Sequence, residues 1–231
     1  DEGRAERYIQ LVERLQEEGL VDALGEQAHA FSTRGSVDDM IERIDRMGAT
    51  GLPIYLTEMD IDGPPAQQLI DFQRLFPRFW ENPNIRGITL WGYRDGMWRA
   101  QQQATLVYPN GGEKPAMRWL KGYLRGGAPV VTGPGSTAMT PRARKGTEVA
   151  TFSVAGPDGA PYPDGSTISW GVVQGSGAWM DGAMLQALAF AEGTGRLELV
   201  NPLQPGTYRV RVYADVDATV SNLFEVEIVV E

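Results

Sequence analysis

Three apolar runs in the first half of this chain each end in side chains able to do chemistry. Leu20–Phe31 carries Glu26, Gln27 and His29 at its polar tip. Pro53–Ile61 ends on Glu58 and Asp60. Ile85–Tyr93 brings Trp91, with Arg94, Asp95 and Trp98 just beyond it. If these runs are neighbouring parallel strands, ligands bind beyond their carboxyl ends. One end would then collect carboxylates, an imidazole, an amide and two indoles. That set suits a sugar. Indole faces stack on pyranose C–H faces, carboxamides bond hydroxyls, and an ionised carboxylate can attack an anomeric carbon. Such a carboxylate must be fixed, and an imidazole hydrogen-bonded on both sides can fix it.

The elements that must position these residues alternate. Tyr8, Leu11, Val12 and Leu15 recur at helical spacing, and Gly19 can end that helix. Val37–Met47 is amphipathic, with Asp38 and Asp39 in its first turn, where the helix dipole favours anions. Pro64–Trp80 reads as a helix with prolines at its start, and Pro115–Leu124 as another. A helix followed by three strand–helix units is the grammar of a parallel sheet or an α/β barrel.

Composition narrows the chemistry. The chain has 231 residues, no cysteine, one histidine and a net charge of −9. Disulfides, thiolate metal sites and cysteine nucleophiles are excluded, and so are multi-histidine metal sites. An acidic surface repels phosphate backbones and anionic lipid, so nucleic acid and membranes are not expected partners, whereas a neutral polysaccharide is unaffected. Nothing in the sequence is long and apolar enough to span a membrane.

Four segments in this half, in order, resemble the glycoside hydrolase family 10 xylanases: VDALGEQAHAFS (Val21–Ser32), PIYLTEMDID (Pro53–Asp62), IRGITLWGYRDGMWR (Ile85–Arg99) and ATLVYPNGGEKPAMRWL (Ala104–Leu120). The resemblance covers about residues 1–125. It implies the C-terminal portion of a TIM (β/α)8 barrel, about three strand–helix units, in a retaining endo-1,4-β-xylanase. By position Glu58 matches the nucleophile, His29 the histidine that holds it, and Asp60 the residue that orients His29. Gln27, Trp91 and Trp98 match sugar-binding positions, and Arg94 beside them is a further substrate-binding candidate. The substrate implied is xylan or a xylo-oligosaccharide, with no cofactor. Secretion of the parent enzyme is implied by the resemblance alone.

Departures from the family pattern are specific. Glu26 stands where an apolar or small residue is usual, and Ala28 where glycine or serine is common. The stretch from Trp91 to Trp98 is one residue shorter than usual. The partner carboxylate, the general acid/base, would belong to a strand upstream of residue 1. The resemblance therefore implies a chain that does not hydrolyse xylan alone, with the N-terminal barrel half supplied elsewhere, in a longer protein or another chain.

Residues 126–141 are rich in Gly, Pro, Ser and Thr and read as a linker. Beyond it, Glu148–Val154, Thr167–Val173, Gly195–Val200, Gly206–Tyr213 and Leu223–Val230 alternate like strands. Ala183–Ala191 suits a strand or a helical turn. The expected fold class is α/β plus all-β, the second domain (142–231) being a β-sandwich similar to immunoglobulin-like or cadherin-like domains. Asp158, Asp215 and Asp217 are Ca²⁺ candidates there, or simply turn residues. Trp170 and Trp179 are candidates for a glycan face or for core.

A lone histidine suits a structural role, Arg94 and Asp95 can pair on the surface, and Trp80 and Trp119 on helical faces read as core. The rival functional reading is a non-hydrolytic carbohydrate-binding or cell-surface β-sandwich protein.

Overall fold

The computed structural model describes residues 2–30, 32–139, 143–163, 166–174, 185–191 and 193–231. The chain divides into two compact units, Asp1–Lys114 and Pro115–Glu231.

The first unit is a three-stranded parallel sheet with helices between its strands. Its elements are α1 (Glu2–Glu17), β1 (Leu24–Glu26), α2 (Val37–Gly48), β2 (Ile54–Met59), α3 (Pro65–Trp80) and β3 (Ile85–Leu90), in sheet order β1-β2-β3. Gly19 ends α1 as its pattern suggests. It adopts φ +68°, its N–H bonds Gln16 O at 3.0 Å, and the Leu20 N–H reaches back to Leu15 O at 2.9 Å. Ser36 caps α2 by accepting the Asp39 N–H at 3.3 Å. Met40, Ile44 and Met47 then line the buried side of α2, and Leu69, Phe72, Phe76 and Phe79 that of α3, at helical spacing. Ile54, Leu56 and Met59 of β2 are fully buried.

Gln68 is a polar member of this core. Its side chain is completely buried, and Nε2 lies 2.9–3.3 Å from the carbonyls of Ile61, Gln103, Ala104 and Thr105. The amide has only two hydrogens, so these four acceptors share them. Gln68 thereby ties the chain after β2 to the segment that follows β3.

Two expectations for this unit change. The first strand is short, Leu24–Glu26, because the chain leaves the sheet at Gln27 and turns through Ala28 at φ +57°. Trp80, expected in the core, is half-exposed and stacks on Phe76, ring centroids 5.7 Å apart. The face of α3 that is buried is filled by phenylalanines one turn apart, which leaves Trp80 at its rim.

The second unit opens with α4 (Pro115–Leu124) and continues with β4 (Val130–Thr132), β5 (Ser136–Met139), β6 (Glu148–Ala155), β7 (Ile168–Gln174), β8 (Leu185–Ala191), β9 (Thr194–Leu199), β10 (Gly206–Val216), β11 (Thr219–Val220) and β12 (Phe224–Val230). One sheet runs β11-β10-β12-β5 with β7 also on β10, and the other β4-β6-β9-β8. Alternating residues of β10 and β12 (Val210, Val212, Val226, Ile228) share one buried cluster with Val149, Phe152 and Val154 of β6 and Leu197 and Leu199 of β9. Within the run 183–191 the described residues, Leu185–Ala191, form a strand antiparallel to β9.

Residues 126–139, the described part of the stretch 126–141, depart from the linker expectation. Val131 pairs with Val154 of β6, and Thr137 with Ile228 of β12, so β4 and β5 edge the two sheets. Val131 and Met139 are buried in the shared cluster. Between them the chain crosses at Gly133, where a Cβ would lie 2.4 Å from the Phe224 ring. Glycine at that point is a close-approach requirement, which composition alone confuses with flexibility. Asn222 fixes the crossing by accepting the Val131 N–H at 2.5 Å and donating to Val131 O at 3.1 Å.

Candidate active site

The carboxyl ends of β1 and β2 bring Glu58 and His29 together. The backbone does this first, as the Glu58 N–H donates to the carbonyl of Gln27 at 3.2 Å. His29 Nε2 then lies 3.0 Å from Glu58 Oε2. On the other side of the ring, Nδ1 is 3.5 Å from Asp60 Oδ2, an ion-pair distance longer than an ordinary hydrogen bond. Asp60 is buried and anchored, its Oδ1 accepting the Ala30 N–H at 2.5 Å. His29 is also buried, while the Glu58 side chain keeps 25% exposure. The histidine and aspartate are thus walled in, and the glutamate faces solvent.

A strained turn aims these groups. Ala28, 3% exposed, sits in the left-handed region at φ +57°, where a Cβ is disfavoured. Its N–H reaches Glu26 Oε1 at 3.4 Å. After it, the His29 carbonyl accepts the N–H groups of Ser32 and Thr33 at 2.8 and 3.2 Å and the Ser32 hydroxyl at 2.7 Å. The result is a closed loop in which His29 has little freedom.

The indoles lie beyond β3. The Trp98 ring is 5.7 Å from the His29 ring, centroid to centroid, tilted by 40°. Trp98 is 49% and Trp91 43% exposed, so both present faces to solvent. Trp91 is held by its N–H on Met59 O at 2.9 Å. Gln27 is exposed beside Glu58 in the backbone pairing. Arg94 lies beside Tyr93. Its guanidinium lies 5.8 Å from the Tyr93 ring centroid, and Asp95 beside it is exposed.

Several positioning residues escaped the sequence reading. Gly92 has φ +98°, and a Cβ there would lie 3.1 Å from Trp98 N and 3.2 Å from Met97 Cβ. The loop therefore folds back on itself only with glycine at 92. Asp62 accepts hydrogen bonds from Arg34 and Arg99. Burial alone would raise the Asp62 carboxyl. The hydrogen bonds and charges of Arg99 and Arg34 outweigh it and leave its pKa below the ordinary carboxylate value. The available signal was positional: Asp62 closes the same segment as Glu58 and Asp60, and Arg99 directly follows Trp98.

The Ca²⁺ candidates of the second unit do not assemble. Asp215 pairs with Arg118 of α4 at 2.8 Å. Asp217 accepts the Thr167 N–H at 2.9 Å, and Asp158 the Ala160 N–H at 3.1 Å, as turn residues do. Among the described residues no group of three or more His, Asp or Glu side chains is arranged to hold a metal. Trp170 lies on β7, opposite Ala214 of β10, and Trp179 lies outside the described residues.

A partly exposed carboxylate gripped by a buried histidine at the ends of parallel strands, with two half-exposed indoles beyond the third strand, can serve nucleophilic chemistry on a sugar. The chain belongs to glycosyl hydrolase family 10, whose sequence profile matches residues 1–123. It is 41% identical over 103 residues to endo-1,4-beta-xylanase B of Cellvibrio japonicus, covering 43% of this chain and 17% of that protein. It is 31% identical over 110 residues to endo-1,4-beta-xylanase 2 of Arabidopsis thaliana, covering 46% of this chain and 10% of the relative. Among solved structures, xylanase 10B of Thermotoga petrophila in complex with xylobiose aligns with a TM-score of 0.42 at 26% identity, covering 50% of this chain and 40% of that one. The chain thus spans well under half the length of these relatives. The family match runs through α4, although by its contacts that helix belongs to the second unit.

Proposed function

We propose that Glu58 is the nucleophile of a retaining endo-1,4-β-xylanase and that this chain carries the C-terminal portion of its (β/α)8 barrel. The observation that carries the reading is the 3.0 Å contact between His29 Nε2 and Glu58 Oε2. In the first displacement a Glu58 oxygen bonds to the anomeric carbon as the glycosidic C–O bond breaks and the leaving oxygen takes the electron pair. Water later attacks the same carbon and returns Glu58 as carboxylate. His29, braced by Asp60, holds Glu58 in attacking position. Gln27 bonds sugar hydroxyls, while Trp91 and Trp98 stack on the ring. Arg94, whose guanidinium lies near the Tyr93 ring, is read as a further substrate contact.

A retaining glycosidase sets its second carboxylate about 5–5.5 Å from the nucleophile. We assign the general acid/base to barrel strands supplied by the rest of the parent enzyme or by another chain. The β-rich unit is read as an immunoglobulin-like or cadherin-like sandwich serving as an accessory module. The parent enzyme is read as secreted, where xylan is found.

The test bypasses the acid/base. A 2-deoxy-2-fluoro-xylobioside with a dinitrophenolate leaving group needs no protonation to react. Incubation with the purified 231-residue chain should give a fluoroxylobiosyl adduct on the peptide containing Glu58 and none in Glu58→Gln. Unactivated xylo-oligosaccharides should not turn over. An adduct elsewhere, or none, would overturn the nucleophile assignment. The exposed indoles alone also suit a non-hydrolytic carbohydrate-binding protein. Xylobiose binding without any adduct would favour that rival.

A further inference from the structure

The carboxyl ends of the three parallel strands and the loops beyond them carry the site residues and, a few positions on, the charged residues Arg34, Asp62 and Arg99. After β1 come His29 and Arg34. At the end of β2 and just past it come Glu58, Asp60 and Asp62. After β3 come Trp98 and Arg99. The charged residues converge. Arg34 Nη2 donates to Asp62 Oδ1 at 2.9 Å and to Oδ2 at 3.0 Å, and Arg99 Nη2 donates to the same Oδ2. The Asp62 side chain is 10% exposed, Arg99 22% and Arg34 68%. A second tie runs beside the clamp, the Gly63 N–H donating to Gln102 O at 2.9 Å.

Resting on the site reading above, we propose that Asp62 is a positioning residue that sets Trp98 against His29 by clamping the Arg34 and Arg99 loops. Arg99 needs such a restraint. It holds φ +55°, a left-handed conformation disfavoured for a residue with a Cβ, and it directly follows Trp98. The Arg99–Asp62 bond opposes relaxation of that backbone, and relaxation would swing the Trp98 indole. Arg34 is chained to His29 through the turn in which His29 O accepts the Ser32 and Thr33 N–H groups. One carboxylate therefore fixes both partners of the 5.7 Å His29–Trp98 ring contact. Removing its charge also leaves two guanidinium groups facing each other across an uncharged side chain, and their repulsion would part the loops.

His29 is the only histidine, so its imidazole proton signals report this contact without assignment ambiguity. The chemical shifts of His29 Hε1 and Hδ2 are read in the full chain for wild type, Trp98→Leu and Asp62→Asn. Trp98→Leu gives the position without the indole ring current. Asp62→Asn should move both signals most of the way to that position, and Asp62→Glu, which keeps the charge, should move them back toward wild type. With the activated fluoro-xylobioside, Asp62→Asn should raise the half-saturating concentration about tenfold and change the limiting labelling rate little, as expected when a sugar-stacking wall is displaced and the nucleophile is not. A folded Asp62→Asn chain with wild-type His29 shifts overturns the proposal and leaves Asp62 a stabilising residue only. If Asp62→Asn does not fold, the same shifts are read in Arg34→Gln and Arg99→Gln. Wild-type shifts in both would be equally decisive against the clamp. The shift measurement uses no sugar, so failure of the trap to label Glu58 defeats the functional reading and leaves the clamp standing.

Discussion

His29 Nε2 meets Glu58 Oε2 at 3.0 Å, across residues 29 positions apart in sequence. The two are joined a second time through the backbone, where the Glu58 N–H donates to Gln27 O. Glu58 is thereby held by the segment just past β1 at both its main chain and its side chain.

If that grip sets the nucleophile, losing it should slow the attack. A hydrogen bond to a charged group contributes about 1.5–3 kcal/mol, and about 1.4 kcal/mol is tenfold in rate. His29→Ala should therefore slow adduct formation with the activated fluoro-xylobioside by at least about tenfold. Intact-mass time courses measure this, and an unchanged rate would show that Glu58 does not depend on His29.

Ala28 supplies a stability test at the same turn. A residue with a Cβ at φ +57° costs about 1–2 kcal/mol relative to glycine there, against which glycine loses more chain entropy on folding. Ala28→Gly should stabilise the first unit by up to about 1 kcal/mol, and Ala28→Val should destabilise it by more. Denaturant midpoints followed at the His29 imidazole signal give the comparison for this unit alone.

Asp62 sets an acid limit. Its pKa is lowered in the folded chain. The unfolded chain therefore binds the proton more readily, so the stabilisation is present above about pH 3.8, the ordinary value, and is lost as pH falls through the lower folded value. Unfolding midpoints measured from about pH 6 down to about pH 2.5 should fall in wild type. In Asp62→Asn the part of that fall due to this group should vanish, and curves of identical slope would contradict it.

Gln68 concentrates four backbone acceptors on one buried amide. Gln68→Leu removes both hydrogens and strands those carbonyls, at about 1–3 kcal/mol for a buried group left unsatisfied. The first unit should lose at least about 2 kcal/mol. Hydrogen exchange should rise at residues 61–63 and 103–106 before it rises in β2.

In the second unit, a Cβ on Gly122 of α4 would lie 2.3 Å from Thr219 Cγ2 of β11. Gly122→Ala should overpack this contact and cost about 1–3 kcal/mol. Thr219→Ser removes the offending methyl, so the double variant should recover most of the loss. Additive losses in a double-mutant cycle of melting temperatures would show that Gly122 and the Thr219 methyl are not in contact.

The sequence alone determined the alternation of helices and strands in the first unit, through apolar spacing and local stop signals such as Gly19. It also pointed to the nearness of Glu58, His29, Asp60 and Trp98, which the contacts of His29 show, since residues beyond the ends of successive parallel strands emerge on one side. These are local or topological constraints, carried by period and order. Tertiary packing decided the rest. In the Gly- and Pro-rich stretch, residues 130–132 and 136–139 became two edge strands because Val131 and Met139 found buried places, which composition does not encode. Arg94 turned to Tyr93, and the aspartates of the β-rich unit went separately to Arg118 and to backbone amides. Asp62 had no visible role until Arg34 and Arg99, distant in sequence, arrived on either side of it. A charge acquires its partner only when folding sets the distance, and ion pairing falls off with separation and solvent in ways no spacing rule records.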